Sequence, residues 1–197
     1  MAIHPLENLY KYEVLLASAS PRRRELLSQL SIDFEIAPSI DIDESYSPSL
    51  DAVDVAPHLS QLKANAYKEL ITRNQLIITA DTVVINNGHV LGKPSSKQEA
   101  IDMLLSLSGQ THTVVTGVTI TTASQQITFS ASTLVEFATI DYEEIEWYVN
   151  HFSPLDKAGA YGIQEWIGCI GVKNINGSYY NVMGLPLHKL YSELKNF

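Results

Sequence analysis

Along the first half of the chain, short apolar runs alternate with longer stretches in which apolar residues recur at helical spacing. Continuous apolar runs, which are typical of buried strands, cover residues 14–17 and 76–80, and the second continues through residue 85. A shorter strand is predicted at residues 34–37. A helix is predicted to begin after Ser20, because serine is a favoured N-cap and Pro21 suits the first helical position. Helical spacing returns over residues 49–73, where Pro57 marks a break or a new start.

The second half of the chain is richer in strands. Two β-rich runs, Thr111–Thr122 and Gln126–Phe137, are separated by a few polar residues and predict an antiparallel hairpin. Other local signals predict an Asn-Gly turn at residues 86–88, capped helices from Ser96 to Leu107 and from Asp141 to Asn150, a strand at residues 171–175 and a helix at residues 186–194. Early alternation followed by a hairpin predicts an α/β fold with a mixed sheet.

The composition fits one compact domain over residues 1–197, with 45% hydrophobic residues to form a core. A net charge of −9 argues against a nucleic-acid polymer as partner, since such a surface needs a basic field. No apolar segment is long enough to span a bilayer, and residues 1–7 lack the pattern of a signal peptide. The single cysteine, Cys169, fits a reducing compartment. We therefore expect a cytoplasmic protein that does not associate with membranes.

The positive charge is concentrated at the start of the first predicted helix, where Arg22, Arg23 and Arg24 follow Ser20 and Pro21. Backbone N–H groups and the positive end of the helix dipole favour an anion at such a position. The motif lacks the glycines and the lysine of a P-loop. The alternative is that the arginines are simply solvated. The pattern favours a phosphate site, and a small polyphosphate suits it better than a duplex.

Acidic residues offer a second kind of chemistry. Asp81 follows an apolar strand, where a carboxylate can hold Mg²⁺ against a phosphate or take a proton from water. The alternative is an aspartate that only shapes a turn. Asp41, Asp43 and Glu44 form an acidic loop that, by itself, is typical of a solvated turn. Oxygen ligands of this kind suit Mg²⁺ or Mn²⁺ and not zinc.

Two lysines complete the candidate groups. Lys63 lies on a predicted helix and Lys93 in the Gly92-Lys93-Pro94 loop. Each alone is typical of a solvated surface residue. However, cleavage of a polyphosphate needs cations near the transferred and departing groups.

Taken in order, these segments resemble the Maf family of nucleoside triphosphate pyrophosphatases. The motifs that carry the resemblance are Leu16-Ala17-Ser18-Ala19-Ser20-Pro21-Arg22-Arg23, Asp43-Glu44, Lys63-Ala64, Ala80-Asp81-Thr82-Val83-Val84, Gly92-Lys93-Pro94, Gly109-Gln110-Thr111-His112, Thr116-Gly117-Val118, Asp156-Lys157-Ala158-Gly159-Ala160-Tyr161-Gly162-Ile163-Gln164 and Gly177-Ser178-Tyr179-Tyr180-Asn181-Val182-Met183-Gly184-Leu185-Pro186. The resemblance covers nearly the whole chain except about the first ten residues.

The resemblance implies hydrolysis of a nucleoside triphosphate to the monophosphate and pyrophosphate with a divalent metal, Mg²⁺ or Mn²⁺. It also implies a fold like that of the inosine-triphosphate pyrophosphatases, with a mixed, curved sheet, helices, two lobes around a central groove, and a homodimer. Carried over by motif, Asp81 is the catalytic carboxylate, as a base or a metal ligand, and Glu44 completes the metal site. The implied substrate-binding residues are Ser18, Ser20, Arg22, Arg23, Lys63 and Lys93.

Two further positions point to a branch of the family. Thr82 and Gln164 resemble the residues at these positions in the branch that acts on thymidine and uridine triphosphates. The resemblance implies that Arg23 also belongs to the residues that select the base. A glutamine amide can accept a hydrogen bond from a pyrimidine imide N–H and donate one to its carbonyl. The family usually has glycine after that glutamine, whereas Glu165-Trp166 stands here. This departure leaves preference among the pyrimidines open.

Two alternatives remain at the level of sequence. One is cleavage of 7-methylguanosine or inosine triphosphate, which Thr82 and Gln164 disfavour. The other is a nucleotide-binding regulator of cell division with little turnover, since the family is also associated with septum formation. The presence of Asp81, Glu44 and both lysines favours an enzyme that cleans nucleotide pools.

Overall fold

The structure is a computed structural model that describes residues 4–197, so the first three residues examined for a signal peptide lie outside it. Its strands are β1 (Glu13–Ala17), β2 (Glu35–Ile36), β3 (Gln75–Asn86), β4 (His89–Leu91), β5 (Thr111–Thr122), β6 (Gln126–Phe137) and β7 (Val172–Asn176). Its α-helices are α1 (Pro21–Ser28), α2 (Ala52–Lys68), α3 (Lys97–Leu107), α4 (Tyr142–Phe152), α5 (Trp166–Gly171), α6 (Tyr179–Met183) and α7 (Leu187–Leu194). Short 3₁₀ helices cover Glu7–Lys11, Pro154–Asp156 and Ala158–Ala160.

The strands form one mixed sheet in the order β2-β1-β3-β5-β6-β7, and β4 pairs with β3. β1 is parallel to β2 and β3, whereas the β3–β4 and β6–β7 pairs are antiparallel. The predicted α/β class with a mixed sheet flanked by helices is confirmed. The bounds of β5 and β6 are those that the sequence predicted.

Strand β3 carries Asp81 within its length. The parallel ladder with β1 ends where Thr79 pairs with Ala17, and the antiparallel ladder with β4 begins where Val84 pairs with Leu91. Asp81 therefore lies just beyond the carboxyl end of the parallel ladder, although the strand itself runs on. Beyond it, Asn87 and Gly88 take φ angles of 49° and 79°, as the predicted two-residue hairpin turn requires.

Helix α2 is shorter than predicted and contains Pro57 without interruption. Proline removes a helical N–H donor and normally destabilises a helix interior. Gly117 packs directly on this turn, since a Cβ at that position would lie 2.3 Å from the Pro57 nitrogen. A close approach of strand β5 to the helix therefore requires glycine here.

The chain divides into two compact units. Unit 1 comprises residues 4–81, Thr116–Ala131 and Gly184–Phe197, and unit 2 comprises Thr82–Val115 and Ser132–Met183. One core of unit 1 is formed by Leu15, Ala17, Ala37, Tyr67 and Ile77. A larger core in unit 2 joins α3, α4 and α5 to strands β5 and β6. Within residues 4–197, no helix has the length and apolar character needed to cross a membrane.

Candidate active site

The start of helix α1 has the predicted cap. The Arg23 backbone N–H donates to Ser20 Oγ at 3.5 Å, and the Ser20 N–H donates to Ser18 Oγ at 3.3 Å. Pro21 occupies the first helical turn, which contains no acidic residue. An open cavity of about 830 Å³ beside this helix start is lined by Ser18, Ser20 and Arg24, and also by Glu25 and Glu35. The helix start therefore combines the positive end of the helix dipole with arginine charges, and its own first turn contains no acidic residue.

The Arg23 side chain connects distant parts of unit 1. Its Nε donates to the Gly184 carbonyl oxygen at 2.8 Å, and its Nη1 donates to the Ala80 carbonyl oxygen at 2.8 Å and to Ser18 Oγ at 3.4 Å. Burial lowers the pKa of the Arg23 guanidinium and the charge of Asp81 opposes this, but an arginine remains protonated in either case. Arg23 thus places a positive charge beside the residue that precedes Asp81.

Three charged residues, Lys63, Glu44 and Asp81, form a cluster at the strand position that follows Ala80. Lys63 Nζ is 2.6 Å from Asp81 Oδ1 and 3.0 Å from Glu44 Oε2. The side chains of Lys63 and Asp81 are only 16% and 15% exposed, whereas that of Glu44 is 52% exposed. Helix α2 supplies the lysine, strand β3 the aspartate and the loop after β2 the glutamate. Two carboxylates therefore converge on one cation, although they are far apart in sequence.

The donor set at this cluster can be compared with what a divalent metal needs. Within residues 4–197, three or more His, Cys, Asp or Glu side chains do not come together in a metal-holding group. Mg²⁺ is typically bound by one or two carboxylates, with waters and substrate phosphates completing its coordination. Asp81 and Glu44, which already approach a single positive charge, fit that requirement.

The remaining acidic residues of the loop have a local role or are solvated. Asp43 Oδ1 accepts a hydrogen bond from the Ser45 backbone N–H at 3.0 Å, which closes a turn within the loop. Asp41 is exposed. Only Glu44 of this acidic loop forms an ion pair with Lys63.

Unit 2 carries the other predicted site residues. Lys93 is exposed in the loop between β4 and α3, and the preceding Gly92 carbonyl oxygen accepts from the Gly159 N–H at 3.0 Å. Gln164 is exposed just before α5, and Thr82, the first residue of unit 2, is half-buried on β3.

The Glu165-Trp166 departure has a clear structural role. One carboxylate oxygen of Glu165 lies 3.0 Å from Lys157 Nζ, and the other accepts a short hydrogen bond from the Tyr148 hydroxyl. Trp166 packs on Trp147 with ring centroids 4.8 Å apart. The Asp156-Lys157-Ala158 motif contained Lys157, but nothing local in the sequence pointed to Tyr148.

A second buried contact missed by the sequence reasoning supports the same segment. His112 Nε2 lies 2.8 Å from the Tyr161 hydroxyl, and both rings pack edge-to-face on Phe137. Burial lowers the pKa of His112 to about 4, so this imidazole is neutral at physiological pH. His112 is therefore a packed core residue next to Tyr161.

Comparison with known sequences decides the family. The family model described as Maf-like protein matches residues 13–197. The chain belongs to the Maf family. It is 52% identical to the dTTP/UTP pyrophosphatase of Bacteroides thetaiotaomicron over 190 residues, which are 96% of this chain and 98% of the relative. It is 53% identical to the dTTP/UTP pyrophosphatase of Parabacteroides distasonis over 192 residues, which are 98% and 100% of the two chains.

Solved structures support the fold independently of close sequence similarity. The Staphylococcus aureus Ham1 protein matches with a TM-score of 0.56 at 17% identity, covering 93% of this chain and 98% of its own. A HAM1 protein from Coxiella burnetii matches with a TM-score of 0.51 at 17% identity, covering 94% and 100%. This Maf chain therefore shares its fold with the Ham1 proteins.

Proposed function

We propose that this chain is a nucleotide pyrophosphatase that hydrolyses dTTP and UTP to the monophosphate and pyrophosphate, and so cleans nucleotide pools. The observation that carries the proposal is the convergence of Asp81 and Glu44 on Lys63, one residue from the backbone carbonyl that Arg23 contacts. The names of the full-length relatives, at 52% and 53% identity, support the substrate class.

The phosphate-binding role is assigned to the start of α1. Arg22, together with the positive end of the α1 dipole, would hold phosphate oxygens, since a helix N-terminus favours anions. The Ser18 and Ser20 hydroxyls orient that segment through the hydrogen bonds described above. Arg23 adds positive charge while holding the end of the parallel ladder in place.

The chemical role is assigned to the charged cluster. Asp81 would hold or accept the proton of the attacking water, and Lys63 keeps this carboxylate in place. Lys93 would neutralise charge on the departing pyrophosphate. When Mg²⁺ or Mn²⁺ is bound, Asp81 and Glu44 would hold it, and it would offset negative charge on the triphosphate.

We also propose that the chain acts as a single domain in the cytoplasm and as a homodimer. A single family model spans both units. Trp147 and Phe152 are 43% and 39% exposed on unit 2, and a second copy would cover apolar surface of this kind. Light scattering after size-exclusion chromatography measures the molar mass that tests the dimer.

The position of bond cleavage is the first prediction. If water attacks the α-phosphorus, hydrolysis of dTTP in ¹⁸O-labelled water places the label in dTMP and leaves pyrophosphate unlabelled. Mass spectrometry of both products measures this. Label in pyrophosphate would mean attack at the β-phosphorus, and a diphosphate with orthophosphate would contradict the proposed reaction.

The second prediction concerns Arg23. We expect Arg23→Ala to lower kcat/KM for dTTP, UTP and CTP by the same factor, because neither its positive charge beside the phosphates nor its hydrogen bonds to the Gly184 and Ala80 carbonyls carry information about the base. Arg73→Ala is the matched control, since Arg73 is an exposed arginine of the same unit, in the turn before β3. Steady-state kinetics on the three triphosphates measures the effect. A defect of the Arg23 variant confined to one base would refute a phosphate role.

A further inference from the structure

The predicted base-contacting glutamine lies in a tight turn formed by residues 162–165. The Glu165 backbone N–H donates to the Gly162 carbonyl oxygen at 2.9 Å, which closes the turn with Ile163 and Gln164 at its centre. Ile163 is buried in the core of unit 2, whereas Gln164 is exposed. The 162–165 turn therefore anchors one of its central side chains and presents the other.

The Glu165 side chain closes this turn a second time. Its carboxylate accepts from the Tyr148 hydroxyl, and the same hydroxyl accepts from the Gly162 backbone N–H at 3.2 Å. A Cβ at Gly162 would lie 2.8 Å from Glu165 Cδ, so the carboxylate folds directly over the glycine. Both backbone polar groups of Gly162 are thus held, one by the Glu165 N–H and the other through Tyr148.

Two further groups keep the carboxylate and the hydroxyl in place. Lys157 Nζ, on a side chain only 8% exposed, contacts Glu165 at 3.0 Å and Asp156 at 2.8 Å. Tyr148 is fully buried on α4, and burial, followed by its hydrogen bond to Glu165, raises the pKa of this phenol. Tyr148 therefore remains a hydrogen-bond donor, and a paired carboxylate is its acceptor.

The residue before the turn is fixed separately. Tyr161 is buried, and its hydroxyl contacts His112 rather than Glu165. Loss of the Glu165 carboxylate would consequently loosen residues 162–164 without releasing the segment that precedes them.

We propose that Glu165 is a positioning residue for base selection: through Tyr148 and Lys157 it fixes the 162–165 turn and with it the position from which the Gln164 amide reaches the base. The inference rests on the proposed function. Uracil and thymine present an imide N–H beside carbonyl groups, whereas cytosine presents a ring nitrogen acceptor beside an amino donor. A glutamine amide serves cytosine only when its oxygen and nitrogen are exchanged. A turn that is held keeps the Gln164 amide within reach of the base, and a loosened turn weakens the contact on which the preference for the imide edge over cytosine depends.

The test compares Glu165→Ala, Glu165→Gln, Tyr148→Phe and the Glu165→Ala/Tyr148→Phe double variant with the wild type. Steady-state kinetics on UTP, dTTP and CTP give the preference for UTP over CTP. We expect Glu165→Ala and Tyr148→Phe each to raise KM for UTP and reduce that preference by about tenfold, with little change in kcat. Glu165→Gln keeps an oxygen acceptor for Tyr148 and should retain most of the preference. The double variant should reduce the preference for UTP over CTP no further than either single variant does, because both substitutions break the same hydrogen bond between Tyr148 and Glu165.

Two controls separate positioning from general damage. Ile145→Ala removes another fully buried side chain of α4 and should lower Tm while the UTP/CTP preference stays unchanged. Inhibition by inorganic tripolyphosphate should be equal in all variants, since it reports the phosphate-binding residues alone. Variants of Glu165 and Tyr148 that lower Tm but keep the wild-type preference and KM would overturn the inference and leave the proposed function standing. A wild-type protein without turnover of UTP or dTTP would overturn both.

Discussion

Replacing Asp81 with asparagine is expected to lower kcat for dTTP and UTP by about a hundredfold or more, the scale of a lost acid–base group. Asparagine has almost the same shape, and its amide oxygen can still accept from Lys63 Nζ, which lies 2.6 Å from the native carboxylate. What disappears is the negative charge and the ability to take a proton. The expected defect is therefore chemical, with Tm close to that of the wild type. Single-turnover kinetics with dTTP at saturating Mg²⁺ measures it.

The control for this variant is Asp43→Asn. Asp43 belongs to the acidic loop beside Glu44, but its carboxylate accepts from the Ser45 N–H, and an asparagine oxygen can do the same. We expect Asp43→Asn to turn over dTTP at the wild-type rate.

A titration of Mg²⁺ against the rate of the Asp81→Asn variant distinguishes two roles for Asp81, because loss of a metal ligand raises the Mg²⁺ concentration needed and loss of a base does not. An Asp81→Asn variant with a near-normal rate at saturating Mg²⁺ would show that another carboxylate does the chemistry.

Sequence reasoning was most accurate where the signal and its structural consequence lie within a few residues. Ser20 caps α1, and the Asn87-Gly88 turn joins β3 to β4, because capping hydrogen bonds and positive φ angles are local properties. The bounds of β5 and β6 also followed from their composition and the polar residues between them. The family resemblance then supplied residue roles that no local pattern contained.

Contacts between distant residues were beyond the local pattern. Lys63 and Asp81 are ordinary on their own elements, and only the packing of α2 against β3 brings them to 2.6 Å. Arg23 was predicted as a phosphate-binding residue, yet its Nε is used by the Gly184 carbonyl, 161 positions away. Pro57 signalled a possible break, but α2 continues through it and Gly117 of β5 packs on that turn. Such outcomes depend on tertiary packing, which composition and periodicity do not specify.

The departure at Glu165 illustrates the same limit. From sequence, a charged residue in place of glycine indicated only a change near the base-selecting position. The structure places the Glu165 carboxylate between Tyr148 and Lys157, both of which are buried and come from other segments of unit 2. Glu165 is therefore part of an internal ion pair and hydrogen-bond network that the sequence alone did not indicate.

The prediction that decides the substrate concerns Gln164. We expect Gln164→Glu to lose most activity on dTTP and UTP, because a carboxylate replaces an amide donor and adds charge that repels a pyrimidine carbonyl. A site that hydrogen-bonds its substrate discriminates strongly once the partners mismatch, by factors of about 10⁴ in favourable cases. Gln164 is exposed in the 162–165 turn, so the substitution should leave Tm unchanged. Steady-state kinetics on dTTP, UTP, CTP and 7-methylguanosine triphosphate measures the change.

The matched control for this substitution is Gln125→Glu, which adds the same charge at an exposed glutamine in the turn between β5 and β6. It should leave all four rates unchanged and so exclude a general effect of net charge. Inhibition by inorganic tripolyphosphate should be the same in both variants, because the phosphate-binding residues are intact. If the wild type prefers the methylated purine, or Gln164→Glu keeps the pyrimidine preference, the base is selected elsewhere in the chain. The pyrophosphatase chemistry at Asp81 would stand in that case, since it depends on the charged cluster of unit 1 and not on the 162–165 turn.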